Sequence, residues 1–335
     1  MTGVFETGKI PPEILERIVI DPIRECGTKR ADVILRPKTG EDCCGIDTQG
    51  ELCLLSTDPI TGASKELGYL AIQINCNDIY SSGGEPVGIL LTILLPEGST
   101  EEMLDEIMQG ALRGANERGI EILGGHTEVT DAVNRPIVSA TVIGKTSGRV
   151  ILSTGGARVG QDVIMTKWAG LEGTAILAKD LEKELAEILP EGLVLHAQDM
   201  YDSLSVEKES RIAKAYGATA MHDATEGGIL GAVWEMADCA ELGIEVYGEK
   251  ILVKEETKEI CRVTGIDYLR LISSGSMIIA TENGAGLVQA LEEAGVPSAV
   301  IGKMVPEGRT LQLAKGVIPL DEPRRDELYG AKVQA

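Results

Sequence analysis

The chain has 335 residues, more than one typical hydrophobic core supports, so its length favours two domains. Its 31 basic and 53 acidic residues give a net charge of −22, which argues against binding to nucleic acid or to an anionic membrane surface. Seven cysteines without CxxC spacing indicate reduced thiols, and the sequence shows neither a signal-peptide pattern nor a run of about 18 apolar residues. We therefore expect a cytoplasmic protein.

The N-terminal half is predicted to mix strands and helices around one sheet. Residues 1–40 are interpreted as an arm with a short helix that opens at Pro11-Pro12. Strands are predicted over 42–48, 51–57, 87–95, 120–130 and 136–145, with a helix around residue 70. We expect 87–95 to be buried on both faces because it is almost continuously apolar. A second helix is predicted over 101–118, capped by Ser99 or Thr100 and ended by Gly119.

The C-terminal half repeats this style after a junction rich in Gly, Ser and Thr, which we place near 147–155. Strands are predicted over 162–166, 218–222, 276–281 and 299–305, and helices over 174–189, 206–216, 227–240 and 285–294. The predicted organisation is an arm (1–40), an N-terminal domain (41–150), a C-terminal domain (151–320) and a tail (321–335).

Four acidic or polar clusters lie at the ends of apolar elements in the first half. They are Glu41-Asp42, Asp58, Asn77-Asp78 and His126-Thr127-Glu128. Taken singly, each cluster is typical of a turn or a solvated end of an element. Taken together, they could be presented to one pocket, where several carboxylates would repel each other unless a cation lay among them. Mg²⁺ bound with a nucleotide typically uses one or two carboxylates, waters and phosphate oxygens.

A fifth cluster, HDATEGG, lies in the second half between a predicted strand and a predicted helix. Its polar residues Asp223, Thr225 and Glu226 are followed by two glycines that would allow a ligand to approach the backbone closely. The alternative interpretation is that Thr225 caps the following helix and that the acidic residues complement the helix dipole. The two interpretations are compatible, and the sequence leaves both open.

The motifs GEDCCGID, LLSTDPI, ELGYLAIQINCNDIYSSGGEP, IEILGGHTEVT, VSATVIGKT, MHDATEGGI and AVIGKMV follow one another along the chain. As an ordered set, over roughly residues 40–307, they resemble the aminoimidazole ribonucleotide synthetase (PurM-like) superfamily. The stretches NDIYSSGGEP and HDATEGGI bring the chain nearest to the hydrogenase-maturation branch of that superfamily.

The resemblance implies a two-domain α+β or α/β fold, whose N-terminal domain forms a β-barrel with its twin in a homodimer and whose C-terminal domain is α/β. It also implies that ATP and Mg²⁺ bind in a cleft between the domains. The metal positions carried over are Asp42, Asp58 and Asp78. The further cofactor-binding positions carried over are Glu41, Asn77, Gly125, Glu128, Thr225 and Gly227. The catalytic candidates are His126, Asp223 and Glu226.

Two departures from the pattern bear on function. His126 stands where kinase-like members have Asp, so the metal role would be lost or would pass to Glu128. The hydrogenase-maturation branch also carries a reacting cysteine at its C-terminus, whereas Cys261 is the last cysteine here. We expect an ATP- and Mg²⁺-dependent enzyme that phosphorylates or activates an oxygen or amide of a small or protein-borne substrate. The alternative is a non-catalytic ATP-binding assembly protein whose maturation partner supplies the missing group.

Overall fold

The computed structural model describes residues 12–21, 31, 33–36, 38–41, 43–146, 148 and 150–333, and within them the chain forms two mixed sheets. The N-terminal sheet has the order β1-β2-β3-β6-β4-β5, and all its neighbours are antiparallel except β4 and β5. Its strands are β1 (Val33–Leu35), β2 (Cys44–Asp47), β3 (Leu52–Ile60), β4 (Glu85–Leu95), β5 (Glu121–Val129) and β6 (Ile137–Thr146). Its helices are α1 (Pro12–Leu15), which continues as a π-helical turn over Glu16–Ile20, α2 (Leu67–Ser81) and α3 (Glu101–Arg118).

Helix α3 begins and ends where its sequence signals predict. Thr100 accepts a hydrogen bond from the backbone N–H of Met103, which satisfies one of the free donors of the first turn. Gly119 ends the helix with φ 64°, a left-handed conformation that glycine adopts without steric cost.

Strand β4 shows that the expected burial of 87–95 on both faces is wrong in the single chain. Its residues alternate between buried and exposed, because one face packs against α2 and the other is open. Val87 and Leu90 are 48% and 40% exposed, and Leu123 and Val129 of β5 are similarly exposed. Within the described residues the N-terminal sheet is open, with β1 and β5 at its edges, so a closed barrel is not formed by one chain.

The C-terminal sheet has the order β13-β12-β9-β11-β7-β10-β8, antiparallel except between β12 and β9. Its strands are β7 (Asp162–Thr166), β8 (Ala220–Asp223), β9 (Gly243–Tyr247), β10 (Met277–Thr281), β11 (Ser298–Val305), β12 (Arg309–Leu313) and β13 (Gly316–Pro319). Its helices are α4 (Leu171–Asp180), α5 (Glu182–Ala186), α6 (Glu191–Gln198), α7 (Glu207–Ala215), α8 (Gly228–Cys239), α9 (Glu255–Thr264) and α10 (Gly284–Glu293). The predicted helix 174–189 is therefore two helices, and β9, α6, α9, β12 and β13 were not predicted.

Helix α2 joins the two domains, and all 15 of its residues are buried. The side-chain amide of Asn77 in this helix donates to the carbonyl of Leu204 (2.8 Å) and accepts from the N–H of Val206 (3.1 Å). One turn later, the Ser210 hydroxyl donates to the carbonyl of Tyr80. The domains thus meet through hydrogen bonds made inside a shared apolar core, where an unpaired polar group would be costly. None of the helices in the described residues is long and apolar enough to span a bilayer.

Candidate functional site

A cavity of about 910 Å³, here called the large cavity, lies where the N-terminal sheet faces the C-terminal domain. One side is formed by residues 55–59 of β3 and by Asp78 of α2. The opposite side is formed by the end of β8, the turn that follows it and Glu235 of α8. The large cavity therefore draws its lining from four of the five predicted clusters or their neighbours, through elements far apart in sequence.

Asp58 and Asp78 reach the large cavity from different elements. Ser56 of β3 donates to a carboxylate oxygen of Asp78 at 2.5 Å, which fixes the buried end of that side chain. Asp58 lies two residues beyond Ser56 and so on the same face of β3. Its backbone N–H donates to the amide oxygen of Asn75 at 2.9 Å, which ties the strand to α2. The two carboxylates therefore line one space.

The carboxylates of the large cavity are better suited to a Mg²⁺ ion that binds together with a nucleotide than to a metal ion held by the protein alone. Among the described residues, no group of three His, Cys, Asp or Glu side chains is arranged to hold a metal. Asp58 and Asp78 supply two carboxylates, and Mg²⁺ bound with nucleotides commonly uses one or two together with phosphate oxygens. Asp42, the third predicted ligand, lies outside the described residues.

Asn77 and Glu41 are placed differently from Asp78. Successive residues of a helix point about 100° apart, so Asn77 turns to the domain interface while Asp78 turns to the large cavity. Glu41 lines the large cavity, and its carboxylate accepts a hydrogen bond from the N–H of Thr154 at 3.2 Å. Beside them, the buried Cys43 thiol donates to the carbonyl of Asp78 at 3.2 Å, which gives that cysteine a role in holding the end of α2.

The HDATEGG segment contributes the other side of the large cavity. Asp223 ends β8 and is buried, and Thr225 and Glu226 follow in the turn. The interpretation that Thr225 caps the next helix is wrong, because Gly227 occupies the cap position of α8 and no side chain caps it. Gly227 has φ 88°, and its N–H donates to the Asp326 carboxylate at 2.7 Å. The turn thereby points Thr225 and Glu226 at the cavity instead of at the helix.

Gly125, His126 and Glu128 do not reach the large cavity in the single chain. They lie on β5, the edge strand, with β4 and β6 between it and β3. His126 and Glu128 are 65% and 49% exposed, with Nε2 and Oε2 3.3 Å apart. Gly125 approaches the neighbouring strand so closely that a Cβ would lie 1.8 Å from the carbonyl oxygen of Leu91. In one chain, this motif serves the close pairing of β4 and β5.

A second cavity of about 450 Å³, here called the small cavity, adjoins the first. The two cavities share Asp58, Pro59, Thr225 and Glu226 as lining residues. Beyond this common wall, the small cavity is lined mostly by apolar side chains, together with Arg135, Glu172 of α4 and Tyr329 of the C-terminal tail. The Tyr329 hydroxyl donates to Glu226 at 2.5 Å. A group bound in the small cavity would therefore face a group bound in the large one.

Several residues of these cavities were not predicted from the sequence. His222 and Glu235 are buried in the lining of the large cavity, with Nε2 and Oε2 2.9 Å apart. Glu172 and Glu235 each lie in a mostly apolar stretch of a helix, and an acidic residue in such a setting is a usable signal for a buried site. The sequence around the tail residues that line the cavities contains no local pattern that predicts this position.

Glu172 makes the small cavity sensitive to pH. Burial raises the pKa of its carboxyl to about 7, against 4.5 for the exposed group. A carboxyl whose pKa is raised by folding stabilises the folded protein at pH values below its pKa in the unfolded chain. This contribution is lost as the pH rises through about 7. Glu172→Gln is therefore expected to be more stable than wild type above pH 7, by up to about 3 kcal/mol, with the difference vanishing near pH 4.5. Thermal melts across this range measure it.

The matched control for that prediction is Glu187→Gln, because Glu187 is an exposed residue at the C-terminal end of α5. It should melt like wild type at every pH. A Glu172→Gln profile parallel to that of wild type would contradict the prediction.

The fold and its linked cavities define a two-domain α/β protein of the PurM-like type. Residues 40–146 match the AIR synthase related protein N-terminal domain, and residues 158–313 match the C-terminal domain of the same family. The chain belongs to the AIR synthase-related family, near its hydrogenase-maturation branch.

Two relatives show where the chain lies in the family. A protein named for hydrogenase expression and formation in Methanocaldococcus jannaschii is 27% identical over 226 residues, which is 67% of this chain and 64% of that protein. Carbamoyl dehydratase HypE of Bradyrhizobium diazoefficiens is 26% identical over 280 residues, or 79% of this chain and 78% of the relative.

Solved structures support the fold. A chain of the HypE–HypF complex matches with a TM-score of 0.73 and 20% identity, covering 91% of this chain and 100% of the matched chain. HypE in complex with ATP matches with a TM-score of 0.70 and 20% identity, covering 94% and 95% respectively. At this level of identity, these matches establish the architecture alone.

Proposed function

We propose that the protein binds Mg²⁺–ATP in the large cavity and transfers the γ-phosphoryl group to an acceptor held in the small cavity. The observation that carries this proposal is the shared wall of Asp58, Pro59, Thr225 and Glu226, which lets two ligands meet. The large cavity has the volume for a nucleotide. The HypE complex with ATP and the carbamoyl dehydratase relative support nucleotide binding by this fold.

Asp58 and Asp78 would hold Mg²⁺, whose positive charge would offset the negative charge that develops during transfer. The acceptor is an oxygen or an amide, which gives up a proton as its bond to phosphorus forms and the bond to the ADP oxygen breaks. Glu226 lies at the common wall, where it can take that proton. Asp223 lies beside it in the large cavity, and Thr225 can donate to a phosphate oxygen.

The small cavity suits a compact acceptor with a polar head and an apolar body. Its apolar lining includes Ile60, Ile74, Ile176 and Ile272, whereas its carboxylates lie toward the shared wall and at Glu172. The carboxylates can accept hydrogen bonds and Arg135 can donate them, so an acceptor that carries both N–H or O–H donors and an accepting oxygen fits this cavity.

A homodimer is proposed through the exposed apolar face of β4 and β5. An exposed edge strand flanked by apolar side chains is a template for pairing with another chain. Pairing of two such edges would close the open sheets into the barrel that the family resemblance implies. It would also bury His126 and Glu128 at the dimer interface, where they could contribute to a nucleotide site that includes residues of both chains.

The alternative function is that of an ATP-binding assembly protein that acts with a maturation partner. It is favoured by the match to the whole of one chain in a HypE–HypF complex. Nucleotide binding without turnover, together with a stable complex with a second protein, would favour this alternative. Turnover of ATP by the purified protein with a small acceptor favours the enzyme.

The test of the proposed function is a calorimetric titration of ATP with and without Mg²⁺, followed by measurement of ADP release in the presence of small hydroxyl and amide compounds. We expect binding that requires Mg²⁺, and ADP release that rises with an acceptor. AMP, which lacks the β- and γ-phosphates, is the matched control and should bind much more weakly. Absence of ATP binding at about 1 mM nucleotide would overturn the proposal.

A further inference from the structure

The C-terminal segment 321–333, here called the strap, crosses both cavities. Pro323, Arg324 and Arg325 line the large cavity, whereas Tyr329 lines the small one. The strap also joins the two domains. Asp326 and Tyr329 hold the turn of the C-terminal domain, and Leu328 packs near Gly62 of the N-terminal domain. It thus forms part of the site.

Asp326 is the anchor of the strap. One of its carboxylate oxygens accepts from the N–H of Gly227 at 2.7 Å, and the other accepts from the N–H of Leu328 at 2.8 Å. The residue is only 3% exposed, so these bonds form out of water, where they hold geometry firmly. Since Arg324 and Arg325 directly precede Asp326, the hydrogen bonds of Asp326 fix the position of the backbone that carries these two arginines.

The charges of the large cavity show what the arginines are suited to bind. Six carboxyl residues line it: Glu41, Asp58, Asp78, Asp223, Glu226 and Glu235. The cationic residues among its described lining are Lys38, Arg324 and Arg325. A nucleoside triphosphate brings roughly four more negative charges, of which a Mg²⁺ ion offsets two. Binding a polyphosphate here therefore requires further positive charge.

The three cations differ in how they are engaged. The Lys38 ammonium donates to the carbonyl of Cys239 at 2.7 Å, which holds it against the protein. The Arg324 side chain is 80% exposed, and its guanidinium lies 4.0 Å from the carboxylate of Asp321. Arg325 donates to the carbonyl of Tyr329 and lies 5.6 Å from the centre of that ring. Both guanidinium groups retain N–H donors that can bind phosphate oxygens in pairs.

We propose that Arg324 and Arg325 bind the phosphates of the nucleotide in the large cavity, so that the anchored strap completes the site in cis. This inference rests on the proposed ATP site. The strap would hold the phosphates from the side opposite Asp58 and Asp78. Its Tyr329 would at the same time close the small cavity beside Glu226. The arginines are phosphate-binding residues, and Asp326 is a positioning residue for them.

The experiment titrates the non-hydrolysable analogue AMPPCP with Mg²⁺, and adenosine separately, into wild type and the double variant Arg324→Ala/Arg325→Ala. We expect the affinity for AMPPCP to fall at least tenfold and to depend less on salt, whereas adenosine binding stays within twofold of wild type. Lys332→Ala is the matched control, because Lys332 is an exposed strap residue outside the cavity lining. It should bind AMPPCP like wild type.

The variant Arg324→Lys/Arg325→Lys keeps the charge and should recover part of the lost affinity, which separates an electrostatic role from a folding defect. Thermal melts of all variants check folding. Unchanged affinity of the double alanine variant for AMPPCP would overturn this inference while leaving the ATP site standing. Failure of wild type to bind AMPPCP would instead overturn the proposed function, and this inference with it.

Discussion

Asp78→Asn is expected to lower the affinity for Mg²⁺–ATP about 100-fold and to abolish its dependence on Mg²⁺. The carboxylate of Asp78 faces the large cavity and is fixed by the Ser56 hydroxyl. Asparagine keeps the volume and can still accept that hydrogen bond, so the substitution removes mainly the negative charge that would hold the metal. Calorimetric titrations of ATP with and without Mg²⁺ measure the effect.

The neighbouring residue provides a sharp contrast. Asn77→Ala removes two hydrogen bonds across the domain interface and should destabilise the protein by about 2 kcal/mol, with ATP affinity unchanged in the folded protein. Asp105→Asn, on the exposed face of α3, is the charge-matched control and should change neither quantity. If Asp78→Asn bound Mg²⁺–ATP like wild type, the acidic side of the large cavity would not be a metal site.

Gly68→Ala is expected to lower the free energy of unfolding by about 3 kcal/mol or more. A Cβ at this position in α2 would lie 1.8 Å from the carbonyl oxygen of Ile107 and 2.8 Å from the backbone nitrogen of Ala111, both in α3. Neither backbone atom can rotate away, so the two helices would have to separate, and α2 is buried along its whole length. Urea titration followed by circular dichroism measures the loss.

The matched control for Gly68→Ala is Gly192→Ala in α6, where a Cβ would meet nothing within 4 Å. Alanine loses less backbone freedom on folding than glycine, so this variant should be neutral or more stable by up to about 1 kcal/mol. If Gly68→Ala unfolded at the urea concentration of wild type, α2 and α3 would not pack as closely as the structure has them.

Local signals in the sequence determined much of the framework. The capping residue Thr100 and the terminating Gly119 fixed α3, and alternating or apolar runs located most strands of both sheets. Acidic residues at the ends of apolar elements drew attention to Asp58, Asp78 and Asp223, which the structure brings to one cavity. Such signals succeed because caps, turns and hydrophobic periods act over a few residues.

Weak local signals explain the elements that were not predicted. Strands β9, β12 and β13 have only four or five residues each, and β9 and β12 mix apolar with charged or polar residues. The pairing of β9 with β11 and with β12 joins residues more than fifty positions apart, and β13, at the edge of the sheet, is held through its pairing with β12. The apolar composition of 87–95 predicts burial on both faces, but composition does not show which face a neighbouring element covers, and one face of β4 is exposed.

By itself the sequence determined the family, the two-domain fold and the identity of the acidic clusters, because motifs and periodicity are properties of neighbouring residues. Only the tertiary structure decided which cluster members share a space. The helical turn sends Asn77 to the domain interface and Asp78 to the cavity, and the strand order leaves His126 and Glu128 on a distant edge. Long-range packing adds Glu172 and the strap arginines, which lie more than 100 residues from Asp58 along the chain.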